Sequence, residues 1–208
     1  MNTVPAIGES VLTKVIHAEP DTLPDSDATL IERSLREPEL FAAVFDRYYE
    51  EIHGYLSRRL GPSLADDVTS DTFLLAFDRR KRYDLSYAYA RPWLYGIASN
   101  LVARHRRAEV RRYRALAKTD RTHATEGHAD SVAVRLDAQA LRPRLAGALV
   151  EIAAGDREVL LLVAWAGLSC EEAARALDIP PGTARSRLHR ARKKTRAALA
   201  DADPRSNG

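Results

Sequence analysis

The sequence contains very little cysteine and no long apolar run. Its one cysteine, Cys170, excludes an internal disulfide, and without a second cysteine no paired-cysteine zinc spacing can occur. The longest apolar stretch, residues 159–168, is too short for the ~20 residues of a membrane-spanning helix. The first thirty residues do not form a signal-peptide pattern. We therefore expect a cytoplasmic protein with no membrane insertion, no metal and no cofactor.

Positive charge is unevenly distributed along the chain. The 208 residues include 32 Lys and Arg against 29 Asp and Glu, so the formal net charge is only +3. The arginines are nevertheless clustered, while the acidic residues lie elsewhere. Because a polyanion responds to local clusters of charge, this distribution favours nucleic-acid binding despite the small total.

Helical periodicity dominates the sequence, and no segment shows the alternation of a strand. We predict an all-α fold of two small helical domains, the second carrying a helix-turn-helix, joined by a flexible linker. In the N-terminal half we predict a helix ending before Gly61, a second capped by Ser63 with Asp66, and a third running unbroken from Pro92. The predicted boundaries are a flexible tail at 1–26, a domain at 27–113, a linker at 114–135, a domain at 136–200 and a polar tail at 201–208.

Two short helical patterns separated by a tight break begin at Ser169. Ser169 and Glu172 have the S-x-x-E spacing of a capping box, which predicts a helix start. The stretch 178–180 breaks this helix, and Pro181 restarts the chain as a second helix. This spacing is typical of a helix-turn-helix.

The second helix of this pair has a basic surface. At 100° per residue, Ala184, Leu188 and Ala191 share the side that faces the core. On the remaining surface, Arg185 or Arg190 could donate two hydrogen bonds to a guanine. Arg187, Arg192, Lys194 and Arg196 are better placed for phosphates. The residues predicted to contact duplex DNA are Thr183, Arg185, Ser186, Arg187, His189, Arg190 and Lys193. A solvated basic helix without a partner is the alternative.

Residues 157–194 resemble the promoter-binding C-terminal domain of bacterial RNA polymerase sigma factors of the extracytoplasmic-function (ECF) group. Segments 41–61, 65–77 and 91–108 resemble, in order, helices of that group's N-terminal domain. The resemblance implies a non-enzymatic protein that binds core RNA polymerase and promoter DNA. It also implies recognition of the −35 duplex by the C-terminal domain and opening of the −10 element by the N-terminal domain.

The resemblance assigns a polymerase contact to the helix that contains Asp66, Asp67 and Asp71. In the family this helix docks on the clamp helices of the largest polymerase subunit, and the polymerase flap is a further expected contact. The residues predicted to bind polymerase are Asp66, Asp67, Asp71, Phe73 and Phe77. A solvated acidic face and a metal site are the alternatives for the three carboxylates.

The segment 83–100 corresponds to the family's −10 recognition element. Its aromatic rings offer flat surfaces on which unpaired bases stack for about 1–3 kcal/mol each. For Trp93 core packing is the favoured role, and Tyr95 has the same alternative. The residues predicted to contact −10 DNA are Tyr83, Tyr87, Tyr89, Asn100, Arg104, Arg106 and Arg107.

Two other classes of function compete with this interpretation. One is a stand-alone repressor or activator that uses its helix-turn-helix as a dimer on a palindrome. The other is an enzyme with a DNA-binding domain, although the sequence offers no nucleophile–base pair, phosphate loop or metal cluster. Members of the ECF group are often held by an anti-sigma protein, so the resemblance adds such a protein to the expected partners.

Overall fold

The computed structural model describes residues 25–118 and 142–200, and these residues form helices and connecting turns without a strand. The N-terminal elements are α1 (Asp27–Arg33), a 3₁₀ turn (Pro38–Phe41), α2 (Ala42–Leu60), α3 (Pro62–Arg79), a second 3₁₀ turn (Arg80–Arg82), α4 (Arg91–Arg104) and α5 (Arg106–Lys118). The C-terminal elements are α6 (142–151), α7 (Ala154–Ala164), α8 (Cys170–Ala176) and α9 (Pro181–Ala200). The all-α prediction is confirmed.

Helices α2, α3 and α4 form the centre of the N-terminal half, and each packs against the other two. The short α1 is fixed to them by Asp27, whose carboxylate is fully buried. This carboxylate accepts hydrogen bonds from the Tyr48 hydroxyl at 2.6 Å and the Ala90 backbone N–H at 2.7 Å, and it pairs with Arg47. Asp27 therefore ties α1 to α2 and to the segment that leads into α4.

Helices α7, α8 and α9 pack pairwise in the C-terminal half. Ala184, Leu188 and Ala191 on α9 are buried, which confirms the predicted inward side of this helix. They join Ala173 and Ala174 of α8 in the core. Small side chains on both helices allow a short helix-turn-helix to pack closely.

The two halves are in direct contact, chiefly through α4 and α8. Their buried side chains belong to one continuous hydrophobic cluster. Tyr113 of α5 and Trp165 after α7 meet edge to face, with ring centroids 6.5 Å apart. Arg91 donates a hydrogen bond to the Ala166 carbonyl oxygen across the same boundary. The sequence predicted two linked domains, but it did not predict this contact between them.

A buried arginine lies where the two halves meet. Arg59 of α2 is 1% exposed and donates to Glu109 of α5 at 2.7 Å and to the Tyr55 hydroxyl at 2.7 Å. It also binds both carboxylate oxygens of Glu158 on α7, at 2.5 and 2.8 Å. Arg157 approaches Glu109 from the other side, at 3.5 Å. Both carboxylates are thus paired, as buried charges require.

Two expectations about helix ends are wrong. Helix α3 begins at Pro62 with Gly61 as its N-cap and no side-chain cap, so Ser63 does not cap it. The predicted third helix is interrupted at His105, which has φ −95° and ψ 13° and separates α4 from α5. Helix α5 ends at Lys118, inside the segment 114–135 that the sequence assigns to the linker, and the domain boundaries themselves stay a prediction.

Parts of the predicted organisation lie outside the described residues. These are most of the N-terminal tail, the linker beyond Lys118, the start of the second predicted domain up to residue 141, and the C-terminal tail. Within the described ranges, no helix is both long and apolar enough to cross a membrane.

Candidate nucleic-acid and polymerase interfaces

The turn between α8 and α9 has the expected helix-turn-helix form. The Ser169 side chain accepts from the Glu172 backbone N–H at 3.1 Å, and the Glu172 carboxylate accepts from the Ser169 backbone N–H at 2.7 Å. The predicted capping box is therefore confirmed. Asp178 then takes a left-handed conformation with φ 51°, which Asp tolerates better than most residues. Pro181 starts α9, as predicted.

The solvent side of α9 carries an uninterrupted basic surface. Arg185, Ser186, His189, Arg192 and Lys193 are exposed, and no acidic residue occurs between positions 181 and 200. Exposed cations on a helix that follows such a turn can contact both base edges and phosphates of duplex DNA. Arg185 makes only a weak exposed pair with Glu171 at 3.3 Å, so its guanidinium can exchange this partner for DNA.

Two arginines of the predicted DNA set are engaged within the protein. Arg190 binds Asp156 of α7 with two hydrogen bonds, at 2.9 and 2.8 Å. The hydrogen bond from Arg190 lowers the pKa of Asp156, so the carboxylate stays charged. Arg187 lies half-buried over Gly155. The bidentate contact of Arg190 with guanine is therefore not available in this arrangement, and Arg185 is the better donor.

An aromatic cleft of about 310 Å³ opens beside the start of α4. Tyr87 is 42% exposed and Tyr89 is 68% exposed, so both rings are accessible, as predicted. The cleft is lined by Arg82, Tyr83, Asp84, Tyr87, Tyr89, Pro92, Trp93, Arg175 and Asp178. Flat rings beside cationic groups suit an unpaired base and its phosphate.

Other aromatic residues of this segment are structural. Tyr83 is only 8% exposed, packs on Trp93 at 5.0 Å and donates its hydroxyl to the Tyr87 carbonyl oxygen at 2.6 Å. Burial raises the pKa of Tyr83 to about 12. The prediction that Tyr83 presents a free stacking surface is therefore wrong, because its ring forms the floor of the cleft. Trp93 is half-buried against the core, and Tyr95 is fully buried.

The polar residues assigned to −10 DNA lie along α4 and the start of α5. Asn100 and Arg104 are exposed near the end of α4, and Arg106 and Arg107 are exposed just after His105. The break at His105 separates the arginines of α5 from those of α4. These side chains are accessible, and their contact with DNA remains a prediction.

The acidic residues assigned to polymerase are exposed, but the aromatic ones are not free. Asp66, Asp67 and Asp71 lie on the solvent side of α3, where Asp66 pairs with His53 at 2.8 Å. Phe73 is 4% exposed and packs against Phe45 at 4.8 Å, so it is a core residue rather than the predicted surface contact.

Phe77, the second aromatic residue of that set, is also engaged within the protein. It is half-buried, packs edge to face against Phe41 at 5.5 Å and lies beneath the guanidinium of Arg80. The exposed apolar side chain on α3 is Leu74, which is 61% exposed. Within the described part of the chain, no group of three or more His, Cys, Asp or Glu residues is arranged to hold a metal ion.

Sequence reasoning missed Arg175 of α8. Its guanidinium lies 4.4 Å from the centre of the Tyr87 ring, although the two residues belong to opposite halves of the chain. Gly96 of α4 was missed as well: a Cβ atom at this position would collide with the backbone of Ala176 on α8. The sequence around each residue gives no indication of its role, because that role depends on the contact between α4 and α8 from opposite halves of the chain.

The fold and its surfaces define a two-part helical protein that binds nucleic acid. Comparison with protein families gives the same division: residues 44–112 match the model of sigma-70 region 2, and residues 144–195 match that of sigma-70 region 4. The ECF RNA polymerase sigma factor SigC of Mycobacterium tuberculosis is 35% identical over 146 residues, which cover 67% of this chain and 71% of the relative. SigL of the same organism is 30% identical over 165 residues, covering 78% of this chain and 90% of the relative.

A solved structure extends the likeness to three dimensions. The chain is similar to CnrH in a complex with the cytosolic domain of CnrY, with 25% identity and a TM-score of 0.59. The match covers 86% of this chain and 99% of CnrH. The chain belongs to the ECF RNA polymerase sigma factors. It is a promoter-recognising initiation factor whose partners are core RNA polymerase and promoter DNA. The comparisons give no support to the alternative of a stand-alone dimeric regulator.

Proposed function

We propose that this sigma factor divides promoter recognition between α9, which reads the −35 duplex, and the aromatic cleft, which receives an unpaired base of the −10 element. The domain division at 27–113 and 136–200 is part of this proposal, with the first domain extended to Lys118. The observation that carries it is the exposed basic surface of α9, directly opposite the buried Ala184, Leu188 and Ala191.

For the −35 duplex, we assign base reading to the residues nearest the start of α9. Arg185 and Ser186 are exposed there, and His189 follows one turn later. Arg185 can donate two hydrogen bonds to guanine. Lys193 and Arg192 lie further along and contact phosphates, which adds affinity but no sequence preference.

For the −10 element, we assign stacking to Tyr87 and Tyr89, whose rings are the accessible ones in the cleft. Asn100 is assigned to a base edge. Removing a base from its stack costs a few kcal/mol, and a fitted aromatic site offsets this cost. Arg104, Arg106 and Arg107 are assigned to the backbone of the opened strand.

For core polymerase, we assign the exposed face of α3 to the clamp helices of the largest subunit. Asp66, Asp67 and Asp71 supply negative charge there, and Leu74 supplies an exposed apolar side chain. The flap of the polymerase is the proposed contact of the C-terminal half. Because core polymerase and the chromosome share the cytoplasm, we place this protein there.

An inhibitory protein is a further proposed partner. CnrH, which this chain resembles in fold, was solved with the cytosolic domain of CnrY bound. We propose that this sigma factor binds an anti-sigma protein in an analogous way.

Run-off transcription with purified core polymerase on a pool of genomic fragments tests the function. We expect discrete new transcripts only when the sigma factor is added. Arg185→Ala should abolish most of them. Arg36→Ala, which removes another exposed arginine, between α1 and the first 3₁₀ turn, should leave them unchanged.

The same assay separates the two DNA surfaces. Tyr89→Ala should reduce transcription from a duplex promoter more than from one whose −10 region is already mismatched, because an open template no longer needs the cleft to capture a base. If the sigma factor neither binds core polymerase nor changes the transcripts, the proposed function is wrong.

A further inference from the structure

The segment 84–89, which carries Tyr87 and Tyr89, is not held in place by packing. Every residue in it is exposed, including Leu85 at 44%. Backbone that is not packed keeps its conformational freedom unless hydrogen bonds fix it. The direction in which the two rings point therefore depends on hydrogen bonds that reach this segment from other elements.

Helix α1 holds the backbone on both sides of Tyr89. The Ala88 carbonyl oxygen accepts from the Ala28 backbone N–H at 3.3 Å, and the Ala90 backbone N–H donates to the Asp27 carboxylate at 2.7 Å. Tyr89 lies between these two anchored residues, and its side chain is 68% exposed. Ala90 is fully buried and is also the N-cap of α4. Helix α1 thus fixes the stretch of backbone from which the Tyr89 ring projects.

We propose that Asp27 is a positioning residue for −10 recognition. Its buried carboxylate holds the backbone beside Tyr89, so that the ring is already in place when an unpaired base arrives. Asp27 lies outside the set of residues that line the cleft, and it acts on the cleft through Ala90. This inference rests on the proposed function of the cleft.

The Asp27 carboxylate is itself fixed by α2. One of its oxygens accepts from the Tyr48 hydroxyl at 2.6 Å as well as from Ala90, and the other oxygen pairs with Arg47. The side chain is fully buried, so turning away from these donors would leave a buried charge without partners. The bonds to a charged acceptor are also stronger than those between neutral groups. Asp27 therefore connects the exposed segment to a central helix of the N-terminal half.

The other end of α1 holds the start of the same region. Ser34, the C-cap of α1, is fully buried, and its carbonyl oxygen accepts from Arg80 at 3.4 Å. Arg80 begins the second 3₁₀ turn, which leads into the exposed segment. The region 80–90 is thus anchored to α1 near both of its ends. A segment that is already ordered loses less conformational entropy when its ligand binds, which favours binding.

Three variants isolate the contact between Asp27 and Ala90. Asp27→Ala removes the acceptor. Asp27→Asn is the conservative variant, because its amide oxygen can still accept from Ala90 while Arg47, whose side chain is 32% exposed, turns to solvent. Tyr48→Phe is the matched control, since it removes a hydrogen bond from the same buried group but none from the exposed segment. If Asp27→Ala is poorly folded by circular dichroism, it is combined with Tyr48→Phe, because removing acceptor and donor together leaves no buried hydroxyl unpaired.

Hydrogen–deuterium exchange of the free full-length proteins measures the hold on the segment. We expect Asp27→Ala to speed exchange in peptides covering 84–90 and to leave peptides from α3 unchanged, because α3 makes no bond to Asp27. Asp27→Asn and Tyr48→Phe should exchange like the wild type over 84–90. Equal exchange in Asp27→Ala and wild type would show that Asp27 does not hold the segment, and it would overturn the inference.

Run-off transcription at saturating sigma factor measures the functional effect. The readout is the yield from a duplex promoter divided by the yield from the same promoter with a mismatched −10 region, so any inactive fraction of protein cancels. We expect Asp27→Ala to lower this ratio about tenfold, the equivalent of ordering the backbone of one more residue when the base binds. Asp27→Asn should restore the ratio, and Tyr48→Phe should keep it. Added to Tyr89→Ala, Asp27→Ala should lower the ratio no further, because it acts through Tyr89.

The outcomes separate this inference from the proposed function. If Tyr89→Ala lowers the ratio and Asp27→Ala does not, the cleft receives the base but Asp27 does not position it, and only the inference is overturned. If the effects of the two substitutions multiply, Asp27 acts by another route and the inference is again overturned. If Tyr89→Ala leaves the ratio unchanged, the assignment of the cleft fails, and the inference fails with it.

Discussion

Replacement of Arg59 by methionine should be one of the most destabilising single changes in this protein. Methionine retains most of the apolar stem but removes the guanidinium. Glu109, which is 2% exposed, and Glu158 would lose their shared cation, and the Tyr55 hydroxyl would lose a donor. Breaking a buried ion pair by removing one partner costs about 3–5 kcal/mol, because the remaining charge is left uncompensated.

This cost can be measured by urea unfolding followed by circular dichroism. With a denaturant slope of about 2 kcal/mol per molar urea, the midpoint should fall by roughly 2 M. Arg58→Met is the matched control, since Arg58 is the preceding residue, is exposed and makes two weak contacts, a donated hydrogen bond at 3.5 Å and an accepted one at 3.4 Å. It should change the unfolding free energy by less than about 0.5 kcal/mol.

The double variant Arg59→Met with Glu109→Gln examines the physical reason. If uncompensated charge causes the loss, neutralising Glu109 should recover part of the midpoint. If Arg59→Met shifts the midpoint by no more than the control does, the buried cluster does not stabilise the fold and the reasoning fails.

Three further predictions concern capping, charge and pH. Ser169→Ala should cost about 1 kcal/mol, measured by urea unfolding, because it removes the cap of α8. Asp156→Asn should release Arg190, which can then contact a DNA phosphate. The slope of log affinity against log salt concentration for duplex binding should therefore steepen by about 0.9. An unchanged slope would contradict this. Burial by itself would raise the pKa of Glu158, but the nearby Arg59 more than offsets this effect, so the pKa lies below the ordinary value of 4.5. The contact between the two halves should therefore persist above about pH 4.5 and weaken as the pH falls through the lowered pKa. A radius of gyration that grows on acidification would show this.

The helix-turn-helix could be predicted from the sequence because its signals are local. Ser169 and Glu172 fix the start of α8, Pro181 fixes the start of α9, and the spacing of Ala184 and Leu188 fixes the side that is buried. Each of these depends on residues within one or two helical turns, and the structure agrees with each.

The predictions that failed depend on contacts between distant segments. Nothing within a few residues of Tyr83 indicates that its side chain is buried, because its aromatic neighbour comes from α4. The burial of Phe73 follows from the helical spacing of α3, on which Val68, Thr72 and Ala76 are also buried. Arg59 reads as an exposed charge on an amphipathic helix, yet it is buried by Glu109 and Glu158, which are 50 and 99 residues away. The docking of α8 on α4 was missed for the same reason.

The fit between Gly96 and Ala176 also limits how this protein can be recombined. A chimaera that takes its C-terminal half from another sigma factor would inherit the donor's −35 preference through α9. Unless the donor also supplies a backbone that fits against Gly96 and a carboxylate that reaches Arg59, the joined halves would not close. Over evolutionary time, new promoter specificity gained by exchanging halves would therefore come with the loss of this contact, and matching substitutions on α4 and α8 would have to follow.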